Sequence, residues 1–149
     1  MARIITVGAA QFGPVPRSAS RRDAIGRLLD LMREALARGC DLVVFTEVAL
    51  TAFFPHWYME DPEEIDSYFE TEMPGPETQV LFEEAVRLGI AFHLGYAELS
   101  FEAGQKRRYN TAILVGSDGR IIGKYRKICN SVFIYLDLTI KNIQNLALA

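Results

Sequence analysis

Cysteine is scarce in these 149 residues: there are two, Cys40 and Cys129. They have neither the paired spacing of a zinc site nor the density of a disulfide framework, which fits a reducing compartment. Strong charge of one sign is missing as well. A formal net charge of −3 gives no general attraction to nucleic acid or to an anionic membrane. No apolar run reaches the ~18 residues that would read as a membrane span, so neither nucleic acid nor membrane is an expected partner. Internal repeats and low-complexity linkers are lacking too. The opening, MARIITVGAAQFG, has one early Arg and a short apolar stretch, without a longer hydrophobic region and a small-residue cleavage site. It reads as a strand, and a cytoplasmic location is the expectation.

What remains suits one ordinary domain with a core, since 50% of the residues are hydrophobic. RIITVGAAQF reads as a buried first strand. In SRRDAIGRLLDLMREALARG, Ile25, Leu28, Leu29, Met32 and Leu36 recur at helical spacing, and Gly39 is placed to stop the helix. DLVVF is a short apolar run after that stop, so it is expected to lie parallel to the first strand in a βαβ unit. A long connection follows, in which Asp61 and Pro62 resemble an N-cap and first helical residue, with Glu63 and Glu64 as a solvated helix start. ETQVLFEEAVRLG predicts a second helix ending at Gly89, and IAFHLGYAEL and RYNTAILVG predict strands. SDG reads as a tight turn into RIIGKYRKI, which makes the last two strands antiparallel. Lys106, Arg107 and Arg108 are expected at a solvated loop edge. The fold class is α/β, a mixed sheet with flanking helices.

The end of the chain has a different composition. All 12 Arg, 11 Gly and 6 Pro lie before residue 129. CNSVFIYLDLTIKNIQNLALA is rich instead in residues whose codons are, or can be, rich in A and T. Residues 129–149 are therefore expected to be a divergent tail arising from truncation, a frame change or a retained intron. The alternative is a genuine C-terminal strand, for which SVFIYLDLTI has the composition.

Two ionisable residues stand out. Glu47 follows DLVVF, where a parallel strand finishes and side chains emerge into a crevice. A partly buried Glu there is expected to have a raised pKa and to serve as a proton acceptor, or else to be a structural carboxylate paired with a cation. Lys127 ends IIGKYRKI. Tyr125 and Lys127 share one strand face, Lys124 and Arg126 the other, and one basic pair is expected to face solvent. A lysine beside a carboxylate can present a cation to a developing oxyanion, or simply protect a sheet edge. His56 and His93 are too far apart to suggest a metal motif, and His93 reads as a satisfied core histidine. Phe53, Phe54, Trp57 and Tyr58 line a pocket or belong to the core, more often the latter.

Together VGAAQFGPV, VVFTEVAL and YNTAILVGSDGRIIGKYRKI resemble the nitrilase (carbon–nitrogen hydrolase) superfamily, in order and spacing from about Ile4 to Ile128. Within it, LTAFFPHWYMEDPEEIDSYFETEMPGP and LGIAFHLGYAEL are most similar to N-carbamoyl-D-amino acid amidohydrolases. The resemblance implies half of an αββα sandwich, with residues 1–128 the N-terminal portion of the domain. It implies a Glu–Lys–Cys mechanism without metal or organic cofactor, acting on a small amide or ureido substrate in a self-associating full-length form. Glu47 matches the general base, Lys127 the lysine that stabilises the tetrahedral intermediate, and Asn110 a structural hydrogen-bonding residue near the site. The family's nucleophilic cysteine lies further along the chain. Cys129 stands where family members carry His and is not expected to be the nucleophile, and Cys40 lies at the wrong end of its strand. The chain itself is therefore expected to be inactive. Two alternatives stay open: a short noncatalytic paralogue that binds a full-length partner, and a relative of aliphatic amidase or ureidopropionase type.

Overall fold

A computed structural model describes residues 4–127. Its elements run β1 (Val7–Ala10), α1 (Arg21–Ala37), β2 (Leu42–Phe45), a 3-10 turn (Phe54–His56), α2 (Pro62–Asp66), α3 (Gln79–Leu88), β3 (Ala91–Glu102), β4 (Gln105–Val115) and β5 (Ile121–Arg126). The five strands form one mixed sheet in the order β1-β2-β3-β4-β5. β1, β2 and β3 are parallel, and β3, β4 and β5 are joined antiparallel.

Local chemistry sets the boundaries. Ser20 caps α1 through a reciprocal capping box with Asp23, and Gly39 follows its end with φ 77°. Asp61 accepts from the Glu63 N–H, with Pro62 as the first residue of α2. Gly89 ends α3 with φ 69°. Between β4 and β5, the Gly119 N–H donates to the Gly116 carbonyl at 2.9 Å, closing the turn expected at SDG.

Strand alternation divides the sheet into two unlike faces. Val43, Phe45, Phe92, Leu94, Tyr96, Ile113 and Val115 are buried in one core with Ile25, Leu28 and Met32 of α1 and Leu81, Phe82 and Ala85 of α3. On the opposite face Leu42, Val44, Ala91, His93, Ala112 and Leu114 are half-buried. Toward the far end of that face, the connection from β2 closes a second cluster: Val48, Phe54, Ile65 and Phe69 pack with Ala97 and Leu99 of β3.

Several expectations need correction. β1 is shorter than its apolar run and is an edge strand among the described residues, with Val7 54% exposed. Lys106, Arg107 and Arg108 lie within β4, because the hairpin turn tightens to Ala103 and Gly104, both at positive φ. Lys106 and Arg108 both pair with Asp66 of α2. The aromatic run divides: Phe54 is buried, whereas Phe53 and Tyr58 are exposed. Residues 128–149, and with them Cys129 and the expected divergent tail, lie outside the described residues.

Candidate active site

Glu47 sits two residues beyond the end of β2, and Lys127 one residue beyond the end of β5. Eighty positions apart in sequence, they meet: Lys127 Nζ donates to Glu47 Oε1 at 2.8 Å. Asn110 of β4 donates from Nδ2 to the same oxygen at 2.6 Å. Its carbonyl accepts the Lys127 main-chain N–H at 2.8 Å. Among the described residues, no hydrogen bond ends on Glu47 Oε2.

The backbone around Glu47 is tightly constrained. Val48 has φ 50°, a left-handed conformation costly for a β-branched side chain. The turn lies against Gly95 of β3, where a Cβ would stand 3.0 Å from Glu47 Cα, 3.1 Å from Thr46 O and 3.3 Å from Val48 N. The Ala49 N–H then donates to the Gly95 carbonyl at 2.9 Å. A side chain at position 95 would thus displace the carboxylate-bearing turn.

The electrostatics of Glu47 reverse the expected direction. Its side chain is 42% exposed, so solvent still reaches it. The hydrogen bond from the Lys127 ammonium holds its pKa below the ordinary 4.5; partial burial opposes this, and the Asn110 amide adds to the lowering. The group would be a carboxylate at neutral pH in any case, and a cation and an amide hold it in that state more firmly.

Sequence reasoning missed a second carboxylate. Glu98 of β3 is 7% exposed and lies on the helix-covered face of the sheet. It receives Thr111 Oγ1 at 2.7 Å, Lys124 Nζ at 2.6 Å, and Arg126 Nε and Nη2, each at 2.9 Å. Burial pushes its pKa up, but the bonds from Arg126, Lys124 and Thr111 outweigh it and bring the value to about 2. Lys124 and Arg126 are therefore engaged with Glu98 while staying partly in solvent, 42% and 34% exposed. With its acceptor oxygens occupied, Glu98 fastens β5 to β3 and is unsuited to exchange protons near neutral pH. The available signal was the polar residue interrupting the apolar run GYAEL.

The other candidates lie elsewhere. Cys40 precedes β2, at the end opposite Glu47, and packs half-buried against the helix-side core. His93 is half-buried on the open sheet face, and its Nδ1 has no hydrogen-bond partner among the described residues, so it is not the satisfied core histidine expected. No group of three or more His, Cys, Asp or Glu side chains among the described residues could hold a metal ion. No helix among them is long and apolar enough to cross a membrane.

The fold defines the class first. The chain superposes on a crystal structure of a carbon–nitrogen hydrolase from Helicobacter pylori G27 with a TM-score of 0.68 at 22% identity, covering 93% of this chain and 45% of that one. This is the nitrilase-type α/β arrangement. The carbon–nitrogen hydrolase family pattern matches residues 6–131, and the chain belongs to that family. It is 33% identical over 134 residues to Nitrilase 2 from an unknown prokaryotic organism, covering 83% of this chain and 40% of that protein. It is also 33% identical over 108 residues to omega-amidase NIT2 of Danio rerio, covering 72% of this chain and 35% of the relative. The chain thus spans about two fifths or less of the length of these curated relatives.

Proposed function

We propose that residues 1–128 form the N-terminal portion of a hydrolase of non-peptide carbon–nitrogen bonds, with Glu47 as general base and Lys127 as the cation that stabilises the tetrahedral intermediate. The observation that supports this reading is the meeting of Glu47 Oε1 and Lys127 Nζ at 2.8 Å across 80 positions. The nucleophile in this scheme is a cysteine thiol supplied by chain beyond the family's lysine. Most of a thiol is protonated at neutral pH, so a base is needed to release the attacking thiolate. Glu47 takes that proton, the sulfur bonds to the substrate carbon, and negative charge develops on oxygen beside the Lys127 ammonium. Ammonia leaves with the proton returned by Glu47. The resulting thioester, a thiocarbamate where the substrate is a ureide, is hydrolysed by water that Glu47 deprotonates; the proton passes to the departing thiolate, and the carbamic acid released from a ureide loses carbon dioxide.

As Lys127 turns toward the new oxyanion, its hold on Glu47 weakens, and the carboxyl retains the thiol's proton until the leaving nitrogen takes it.

N-carbamoyl amino acids are the proposed substrates, yielding ammonia, carbon dioxide and the amino acid. The reading rests on the resemblance of the segments around Phe54 and Gly95. A second reading, an ω-amide or nitrile substrate, is favoured by the names of the two relatives. The 149-residue chain alone should release no ammonia from either. The test uses the domain extended through its nucleophile, offered N-carbamoyl-D-amino acids and simple aliphatic ω-amides in parallel. Glu47→Gln and Lys127→Ala should each remove nearly all ammonia release while the circular dichroism spectrum is retained. Normal turnover by either variant would reject the role assigned to that residue.

A further inference from the structure

We propose that Asn110 is a positioning residue that sets both members of the pair at once: its side-chain amide orients the Glu47 carboxylate, and its main-chain carbonyl seats Lys127. The inference rests on the hydrolase reading above and extends it to a residue with no chemistry of its own.

Asn110 stands on β4 opposite Ala97, on the sheet face away from α1 and α3. The β4–β5 ladder has its pairing of Thr111 with Arg126 near the end of β5. One residue beyond, the Lys127 N–H still reaches the Asn110 carbonyl, at 2.8 Å. That bond keeps Lys127 in register after β5 has ended, so its side chain leaves the sheet on the side where the Asn110 amide also points. The amide then donates to Glu47 Oε1 at 2.6 Å, next to the 2.8 Å bond from Lys127 Nζ. Two residues from two different strand ends are thus fixed by one asparagine on a third strand.

Only some side chains can do this. A carboxylate accepts and does not donate, so the partner must supply an N–H or O–H. Asn does so without charge, and therefore leaves the Lys127 cation as the only full charge engaged with Glu47 among the described residues. With both donors on Oε1, that oxygen is committed, and an incoming proton is directed to Oε2. Asn110 consequently decides which lone pair of Glu47 does the work, as well as where the carboxylate stands.

Two substitutions test this. Asn110→Ala deletes the amide but keeps the main-chain carbonyl, whereas Asn110→Asp keeps the shape and replaces a donor by an acceptor. In the 149-residue chain, the Glu47 carboxyl carbon is titrated by NMR. Its midpoint should rise in both variants, and further in Asn110→Asp. In the extended domain, kcat should fall about 100-fold, as expected when a reacting group is misplaced by about 1 Å. KM should change little, and the acid limb of the kcat profile should move to higher pH. A purely structural role would lower the melting temperature without moving that limb. Should Asn110→Ala fail to fold, the near-isosteric Asn110→Asp carries the measurement. Wild-type Glu47 titration and wild-type kcat in Asn110→Asp, beside an inactive Glu47→Gln, would overturn this inference and leave the hydrolase reading standing. An active Glu47→Gln would overturn both.

Discussion

Replacing Gly95 by alanine should destabilise the chain although it adds a single methyl group. The new Cβ would lie 3.0 Å from Glu47 Cα, 3.1 Å from Thr46 O and 3.3 Å from Val48 N. Carbon atoms in contact prefer about 3.5–4.0 Å, so the turn must retreat by about 0.5–1 Å. All three neighbours are main-chain atoms, and Val48 already occupies a left-handed conformation, so no side chain can swing away instead. Overpacking of this kind costs about 1–3 kcal/mol, equivalent to a thermal midpoint lowered by roughly 3–10 °C in a chain of this size. The same retreat would stretch the 2.6 and 2.8 Å bonds on Glu47 Oε1. Gly26→Ala is the control: it lies within α1, its Cβ would meet nothing within 4 Å, and it should stabilise by up to about 1 kcal/mol. Urea denaturation of the three proteins decides the matter. Equal stability of Gly95→Ala and wild type would refute the claim that the Glu47 turn is seated against a bare glycine.

Acid should weaken the sheet through Glu98. Its pKa is lowered from the ordinary 4.5 to about 2 in the folded chain. The stability it contributes is therefore fully present above the unfolded value and is lost as pH falls from about 4.5 toward 2, a total of about 3 kcal/mol. Denaturation midpoints measured through that window should converge for wild type and Glu98→Gln, and parallel curves would count against it. Lys127→Met should behave differently: both partners of the Glu47 pair are about two fifths exposed, so stability should change by less than about 1 kcal/mol. A large stability loss in Lys127→Met would make the pair a structural one. Asp61→Ala removes the acceptor at the start of α2 and should cost about 1 kcal/mol, read by the same denaturation assay. An unchanged midpoint would mean the cap is not used in solution.

How much of this was legible depends on how local the signal is. The ends of α1 and α3 were readable because Gly39 and Gly89 act on the residues beside them, and Asp61 with Pro62 announced α2 in the same way. The turn at Ser117–Asp118–Gly119 fixed the antiparallel direction of β4 and β5. Burial was harder. Leu36 has the spacing of the apolar stripe in α1, yet is 37% exposed, while its neighbour Ala35 takes the core-facing position. Glu98 was overlooked since its three partners, Thr111, Lys124 and Arg126, belong to later strands and nothing in GYAEL announces them. The approach of Glu47 to Lys127 could be anticipated only from family resemblance. No periodicity or capping rule links residues separated by three strands.

The connection leaving β2 is anchored to a single strand at both feet. The Ala49 N–H bonds the Gly95 carbonyl at 2.9 Å, and the Glu70 N–H bonds the Ala97 carbonyl at 2.8 Å. Residues 50–69 therefore make a closed excursion that departs from β3 and comes home two residues along it. Its buried side chains Phe54, Ile65 and Phe69 touch the Glu47 turn, through Val48, so exchanges at its exposed positions are the ones that leave the carboxylate undisturbed. The aromatic surface carrying Phe53 and Tyr58 can accordingly be treated as an exchangeable cassette, remodelled for a different molecule while the proton-handling pair stays where it is.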